Sequence, residues 1–368
     1  MKILLLTTHV NLGGIGMYVF SLAKGLVQRG HEVCVVSSGG NMLPLFDANK
    51  IKHLTMDIRT KSEVSPKVFS AYRKVLQIAQ AEKAEIIHAH TRVTQVLAHL
   101  VSRRMQVPYV TTCHGFFRPR FFRRIFPCWG ERCIAISEAV GEHLANDFKV
   151  DRKKFVIVHN GVEIEKFDPC KFTAQDKTAF KKNYHLEITA PLIGTVARLS
   201  SVKGQRYLIS AMERIHKENP AVQLLLVGDG PEKNKLTQMV EDLGLEKNIF
   251  FVPATLDTSM PLSLMDVFVF PSLLEGLGLA IIEAQAMGVP VVATDVGGIY
   301  TLVKDGVNGF LVPPKDSKAL AQAILKLLKD KELAGTFSQR AREQAKQRFN
   351  LHQMTAEIEK VYLEVRGR

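Results

Sequence analysis

Short apolar runs alternate with stretches whose apolar positions recur every three to four residues, from the amino terminus to about position 312. The short runs are rich in Val, Ile and Leu and barely alternate with polar residues. That pattern predicts strands covered on both faces, not a sheet with one wet side. In the first half the predicted strands are 2–9, 31–37, 85–90, 109–114, 133–137 and 155–160, with helices at 17–29, 93–105 and 138–148 between them. In the second half they are 192–197, 223–228, 249–252, 267–271, 289–294 and 309–312, with helices at 205–218, 233–243 and 279–287. Beyond 317 the chain is helical and strongly charged. Two successive β-α series predict an α/β fold: two Rossmann-like, doubly wound parallel sheets facing a central cleft.

A chain of 368 residues is too long for a single ordinary core, which stops growing near ~250–300 residues. The pattern breaks at EKFDPCKFTA, so the expected domains are 1–168 and 169–350, followed by a C-terminal helix at 351–368. No segment approaches the ~20 apolar residues that span a bilayer, and the first residues lack the basic leader and cleavage site of a signal peptide. The five cysteines form no C-x-x-C pair. Reduced thiols and a cytoplasmic setting are therefore expected.

The net charge of +13 is unevenly placed. Residues 1–166 hold 24 Lys and Arg against 13 Asp and Glu, a surplus of 11, whereas 167–368 hold 25 against 23. The first half is expected to meet an anionic partner. The segment 116–126, FFRPRFFRRIF, combines five Phe with four Arg. Its Arg118, Arg120, Phe121, Phe122, Arg123 and Arg124 are candidates for contact with an acceptor or an anionic membrane. A helix after Pro119 would put Phe122, Ile125 and Phe126 on one face. The other reading buries the Phe residues and leaves the Arg residues wet. Nucleic acid is not expected, because no further aromatic and basic cluster accompanies this one.

In open parallel sheets ligands bind beyond the carboxyl ends of the strands. Gly13, Gly14 and Gly16 follow the first strand, with Gly13 and Gly16 as candidates for the acceptor; His90 and His114 end two others; Arg198, Gly228–Asp229 and Glu275 do so in the second half, with Gly228 a candidate for the donor. The most informative stretch is 271–299, where Glu275, Gly276, Leu277, Gly278 and Leu279 lead into a helix that carries Glu283. Unpaired amides at a helix start attract phosphate. Arg198 and Lys203, in GTVARLSSVKG, would complete a cationic pocket for a departing diphosphate. No D-x-D pair occurs in the sequence, so no metal is required in this reading. Glu283 would meet ribose hydroxyls, Glu275 sugar hydroxyls, and His114 the sugar near its anomeric carbon. His88 and His90 share a strand face without a visible third metal ligand. Cys113 neighbours His114 but points to the opposite face.

These motifs, with IIHAHT, TTCHG, AISEAV, VHNGVE, LLVGDGP and DGVNGFLVPP, resemble those of the retaining, GT-B-fold glycosyltransferases of family 4 over nearly the whole chain. The spacing of Glu275 and Glu283 is the most specific of them. The resemblance implies transfer of a sugar from a nucleoside diphosphate donor with retention of anomeric configuration. It implies diphosphate binding by Arg198 and Lys203, and phosphate capping by the amides of 276–279. Gly14 would lie near the phosphates, and the base near Val252, Pro253 and Ala254. The C-terminal helix would pack back on the first domain. The chain departs from the family's pattern at Ile15–Gly16, where Ala-Glu is frequent, and at Leu277 and Ala280.

The resulting expectation is a hexosyltransferase-type enzyme without cofactor, using UDP-sugar in preference to GDP-sugar. It would act on a glycan or lipid-linked acceptor in cell-envelope polysaccharide, lipopolysaccharide or glycolipid synthesis, at the inner face of the cytoplasmic membrane. The alternatives are a nucleotide-sugar epimerase or hydrolase on the same architecture, and a non-catalytic basic membrane-docking protein. The spaced dinucleotide fingerprint is absent, which argues against an oxidoreductase.

Overall fold

The structure is a computed structural model that describes residues 1–60, 65–119 and 121–367, without the side chains of Pro66 and Phe122. It divides into two compact units, 1–161 with 351–368, and 162–350.

The first unit runs β1 (Lys2–Leu6), α1 (Gly14–Gln28), β2 (Glu32–Ser37), α2 (Leu43–Ala48), β3 (Lys52–Thr55), α3 (Pro66–Ala81), β4 (Ile86–Ala89), α4 (Arg92–Met105), β5 (Tyr109–Cys113), α5 (Phe121–Ile125), β6 (Arg132–Ala135), α6 (Glu138–Phe148) and β7 (Phe155–Ile157). All seven strands are parallel, in the order β3-β2-β1-β4-β5-β6-β7. β3 was not legible in the sequence. It is a four-residue strand, KHLT, at the sheet edge, and none of its residues is fully buried. A short polar edge strand has no apolar run to betray it.

The second unit runs α7 (Ala174–Asn183), β8 (Leu192–Val196), α8 (Gln205–Glu218), β9 (Gln223–Val227), α9 (Lys233–Asp242), β10 (Ile249–Val252), α10 (Ser259–Ser263), β11 (Val267–Phe270), α11 (Leu279–Met287), β12 (Val291–Thr294), β13 (Phe310–Val312), α12 (Ser317–Lys329) and α13 (Lys331–Arg348). Its six parallel strands follow the order β10-β9-β8-β11-β12-β13. The second unit begins at Val162, so residues 162–168, expected in the first domain, belong to the second. Val162 forms a parallel bridge with Asn350, and the 3-10 turn Ile164–Phe167 packs on α11.

The last helix, α14 (Leu351–Arg366), belongs to the first unit. Leu351, Met354, Ile358, Val361, Tyr362 and Val365 form its buried stripe and share a core with α1, Leu5, Ile86 and Val110. Its Glu359 accepts from His31 at 2.6 Å and from the Arg29 guanidinium, which fixes the helix against the end of α1. The opposite sheet face carries a second core under α3 and α4.

Both sheets reverse their winding at one place, between β1 and β4 and between β8 and β11. Crossovers leave in opposite directions there, which opens a crevice at the carboxyl ends of the two central strands.

Candidate active site

In the second unit, chain reversal after β8 and β11 builds the principal cluster. Gln205, buried at the start of α8, donates from Nε2 to the Arg198 carbonyl at 3.0 Å, which holds the turn after β8. The Leu273 amide donates to the Val202 carbonyl at 2.7 Å and ties that turn to the one after β11. The Lys203 ammonium forms an ion pair with the Glu275 carboxylate and stands 5.0 Å from the centre of the Phe270 ring. Only 26% of the Lys203 side chain and 16% of the Glu275 side chain is exposed, so solvent screens this pair weakly. The Glu275 carbonyl accepts from the Gly298 amide at 3.0 Å, which braces the loop from behind. Arg198 is exposed.

α11 opens at Gly278, whose φ of 101° a side chain would strain. The first bond within the helix runs from the Ile281 amide to the Gly278 carbonyl. The amides of Gly278, Leu279 and Ala280 therefore have no acceptor within the helix, and they point with its positive dipole end. Gly276 and Leu277 are buried. A cation, a partly buried carboxylate and a helix start thus converge at the switch point of this sheet. Such a set can hold an anion and orient hydroxyls beside it.

Glu283 faces another loop. Its Oε2 accepts from the Thr258 hydroxyl at 2.8 Å, just before α10. Burial pushes its carboxyl up to about 7; nearby Asp257 adds to this, while the Thr258 bond opposes it. The Thr258 bond links Glu283 to the loop after β10, where Pro253 and Ala254 are exposed. The Ala254 amide donates to Asp229 at 2.8 Å, which connects that loop to the end of β9. No sequence motif singled out Thr258, because a lone Thr in a loop carries no spacing signal; Asp229 stands within LLVGDGP, which assigned it no role of its own.

Three expected contacts change their meaning. Val252 is buried, and its carbonyl accepts from the Gly228 amide, so its side chain belongs to the core and not to a ligand surface. A Cβ on Gly228 would lie 2.1 Å from the Ala197 carbonyl, so the glycine serves close approach of the ends of β8 and β9. Gly16 is buried, and a Cβ there would lie 2.3 Å from the Asn11 carbonyl, so it packs the start of α1 and offers nothing to an acceptor. Gly13 and Gly14 remain exposed at that helix start, with open space where a side chain would be.

In the first unit, His88, His90 and His114 gather at the ends of β4 and β5 beside Tyr18 of α1. His90 Nδ1 and His114 Nε2 lie 3.3 Å apart, and the rings of Tyr18 and His114 meet edge to face at 4.6 Å between centroids. Burial holds His88 and His114 down to about 3. His88 uses both nitrogens on hydroxyls, those of Tyr362 and Thr112. Cys113 is buried, and burial pushes its thiol well above the usual range.

The aromatic and basic segment differs from its expected face. α5 exposes Phe121 and Ile125, one turn apart, at 70% and 64%, with Phe126 at 39%. Arg118 and Arg124 are exposed. Arg123 is buried, with its guanidinium 4.3 Å from the Phe117 ring centre and 5.9 Å from that of Phe148, so it is a packing residue and not a surface cation. Arg120 and the side chain of Phe122 lie outside the described residues. None of the described helices is long and apolar enough to cross a membrane.

Comparison with known proteins agrees with this architecture. Residues 12–166 match the family described as Glycosyltransferase Family 4, and residues 176–344 the one described as Glycosyl transferases group 1. The chain is 30% identical over 305 residues to an Escherichia coli UDP-Gal:alpha-D-GlcNAc-diphosphoundecaprenol alpha-1,3-galactosyltransferase, covering 78% of each chain. It is 28% identical over 378 residues to the N-acetyl-alpha-D-glucosaminyl L-malate synthase of Bacillus anthracis, covering 98% of this chain and 96% of that one. The crystal structure of Anabaena HepE in complex with UDP-glucose superposes with a TM-score of 0.87 at 26% identity, covering 99% of this chain and all of the other. Two parallel α/β units of this kind define the GT-B class. The chain belongs to glycosyltransferase family 4 and is a glycosyltransferase.

Proposed function

We propose that the protein transfers a sugar from a nucleoside diphosphate sugar, UDP-linked in preference to GDP-linked, with retention of configuration and without a metal. The observation that carries this reading is the Lys203–Glu275 ion pair beside the start of α11. Lys203, Arg198 and the first amides of α11 bind the diphosphate and take up the charge that develops as the C1–O bond breaks. Glu275 orients sugar hydroxyls, and Glu283 accepts from the ribose. His114 contacts the sugar. The acceptor oxygen bonds to C1 on the face that the diphosphate leaves, and its proton passes to a departing phosphate oxygen.

The acceptor is a glycan or a lipid-linked glycan of the cell envelope, which accords with the diphosphoundecaprenol substrate named for the Escherichia coli relative. Exposed Phe121 and Ile125, flanked by Arg118 and Arg124, support peripheral contact with an anionic membrane from the cytoplasmic side. A thermal-shift panel of nucleotide sugars with and without EDTA tests the reading. It expects one donor to stabilise the protein equally in both buffers, with NMR of the product showing the donor's anomeric configuration. Stabilisation only with a divalent ion, or an inverted product, overturns it. Nucleotide release without an acceptor favours a hydrolase, and conversion of the donor to an isomeric nucleotide sugar favours an epimerase.

A further inference from the structure

The three imidazoles of the first unit are arranged in series. His88 is closed, with Nδ1 2.6 Å from the Tyr362 hydroxyl and Nε2 2.7 Å from the Thr112 hydroxyl. Its ring packs against that of His90, 4.2 Å away between centroids. His90 meets His114 through Nδ1 and Nε2 at 3.3 Å. The other nitrogen of His90, Nε2, is buried and has no hydrogen-bond partner among the described residues.

The available hydrogen-bond partners select the tautomer. Burial keeps all three rings neutral, so each holds a single proton. One hydrogen therefore lies between His90 and His114. If His114 supplied it from Nε2, the proton of His90 would sit on its own buried Nε2, an N–H with no acceptor. If His90 supplies it from Nδ1, the buried Nε2 is left with only a lone pair. Orphaned buried N–H groups are rarer than under-used acceptors, because the desolvated donor loses its whole bond.

We propose that His90 is a positioning residue whose Nδ1–H donates to His114 Nε2, so that His114 carries its own proton on Nδ1 and offers an N–H to a sugar oxygen. A neutral donor suits that place. It holds an oxygen without setting a positive charge beside an anomeric carbon that itself becomes positive. This assignment rests on the reading that His114 faces the transferred sugar; the tautomer itself does not.

The test uses the full-length protein with 15N-labelled histidine. Long-range proton–nitrogen spectra, assigned with His114→Asn, read which nitrogen of His114 bears hydrogen. The expected result is Nδ1–H in the wild type. His90→Asn, whose side-chain amide donates in place of Nδ1, should keep that tautomer and recover most of the turnover. His90→Phe should lose it and lower kcat on the order of 10- to 100-fold through misplacement of His114, with UDP affinity by calorimetry unchanged. A wild-type His114 protonated on Nε2 overturns the proposal, and so does a folded His90→Phe with wild-type kcat. If His90→Phe fails to fold, the wild-type spectrum and His90→Asn decide. If no nucleotide sugar supports transfer, the functional reading fails while the spectrum still reports on His90 and His114.

Discussion

Lys203 and Glu275, 72 positions apart in the chain, form an ion pair across the switch point of the second sheet. The pair joins the turn after β8 to the turn after β11, and those strands are neighbours only because the winding reverses between them. Lys203→Ala and Glu275→Ala should each lower kcat/KM by roughly 10²–10³-fold, the scale of one lost charge-stabilising contact. Because each residue is the other's partner, the double variant should cost less than the two effects multiplied. Steady-state kinetics on the three variants, with melting curves to show that the fold persists, makes the comparison. Near-normal rates in both single variants would contradict the site.

Glu283 should make nucleotide binding depend on pH. Its carboxyl is raised from 4.5 to about 7, and in its proposed role the ionised form, an acceptor at both oxygens, would hold ribose hydroxyls more strongly than the protonated one. UDP affinity should therefore weaken as pH falls through about 7, and Glu283→Gln should abolish that dependence. Stability has the opposite sense. Between about 4.5 and 7 the folded protein holds a proton that the unfolded chain has released, so this group's contribution falls as pH rises across that window. Calorimetry with UDP and urea unfolding at pH 5 and pH 8, wild type against Glu283→Gln, would check both signs.

The first unit should be sensitive to acid. His88 is fully buried and held neutral at about 3, well below its ordinary 6.5. The unfolded chain takes up that proton as pH falls below 6.5 and the folded one does not, so stability drops by about 1.4 kcal/mol per pH unit for such a ring. Removing the imidazole with His88→Asn should make the acid side of the stability profile shallower by one proton. An unchanged slope would show that His88 already titrates in the folded state.

Gly16→Ala should destabilise without touching a ligand. Its Cβ would sit 2.3 Å from the Asn11 carbonyl, and backbone cannot yield as a flexible side chain can. A loss of about 1–3 kcal/mol is expected for such overpacking, read by urea unfolding. Wild-type stability would mean that the loop before α1 relaxes freely.

The α5 surface should bind anionic vesicles. Phe121→Ser with Ile125→Ser removes its two most exposed apolar side chains. The double variant should float less with phosphatidylglycerol vesicles while its melting temperature holds. Arg123→Ala should instead lower stability, since its guanidinium packs between Phe117 and Phe148. Equal flotation of wild type and double variant would remove α5 as a membrane contact.

Strand positions were largely legible in the sequence because a parallel strand covered on both faces must be a solid apolar run. The edge strand β3 was not, since it is polar and half-exposed. The helix start at Gly278–Leu279 was legible for a similar local reason: glycines ahead of an apolar helix mark a turn wherever they fall. In contrast, nothing in FFRPRFFRRIF distinguishes Arg123, which is buried, from Arg124, which is exposed. Which arginine is sealed depends on where α6 brings Phe148.

The amino-acid sequence by itself determined the two β-α series, the carboxyl-end location of the candidate residues and the surplus of positive charge in the first half. These follow from local periodicity and composition, which need no knowledge of neighbours. The tertiary structure alone decided strand order, and with it that Lys203 meets Glu275, that Thr258 meets Glu283 and that His88 meets Tyr362 of the last helix. Those meetings depend on burial and on contacts between segments distant in the chain, which spacing along one dimension does not encode.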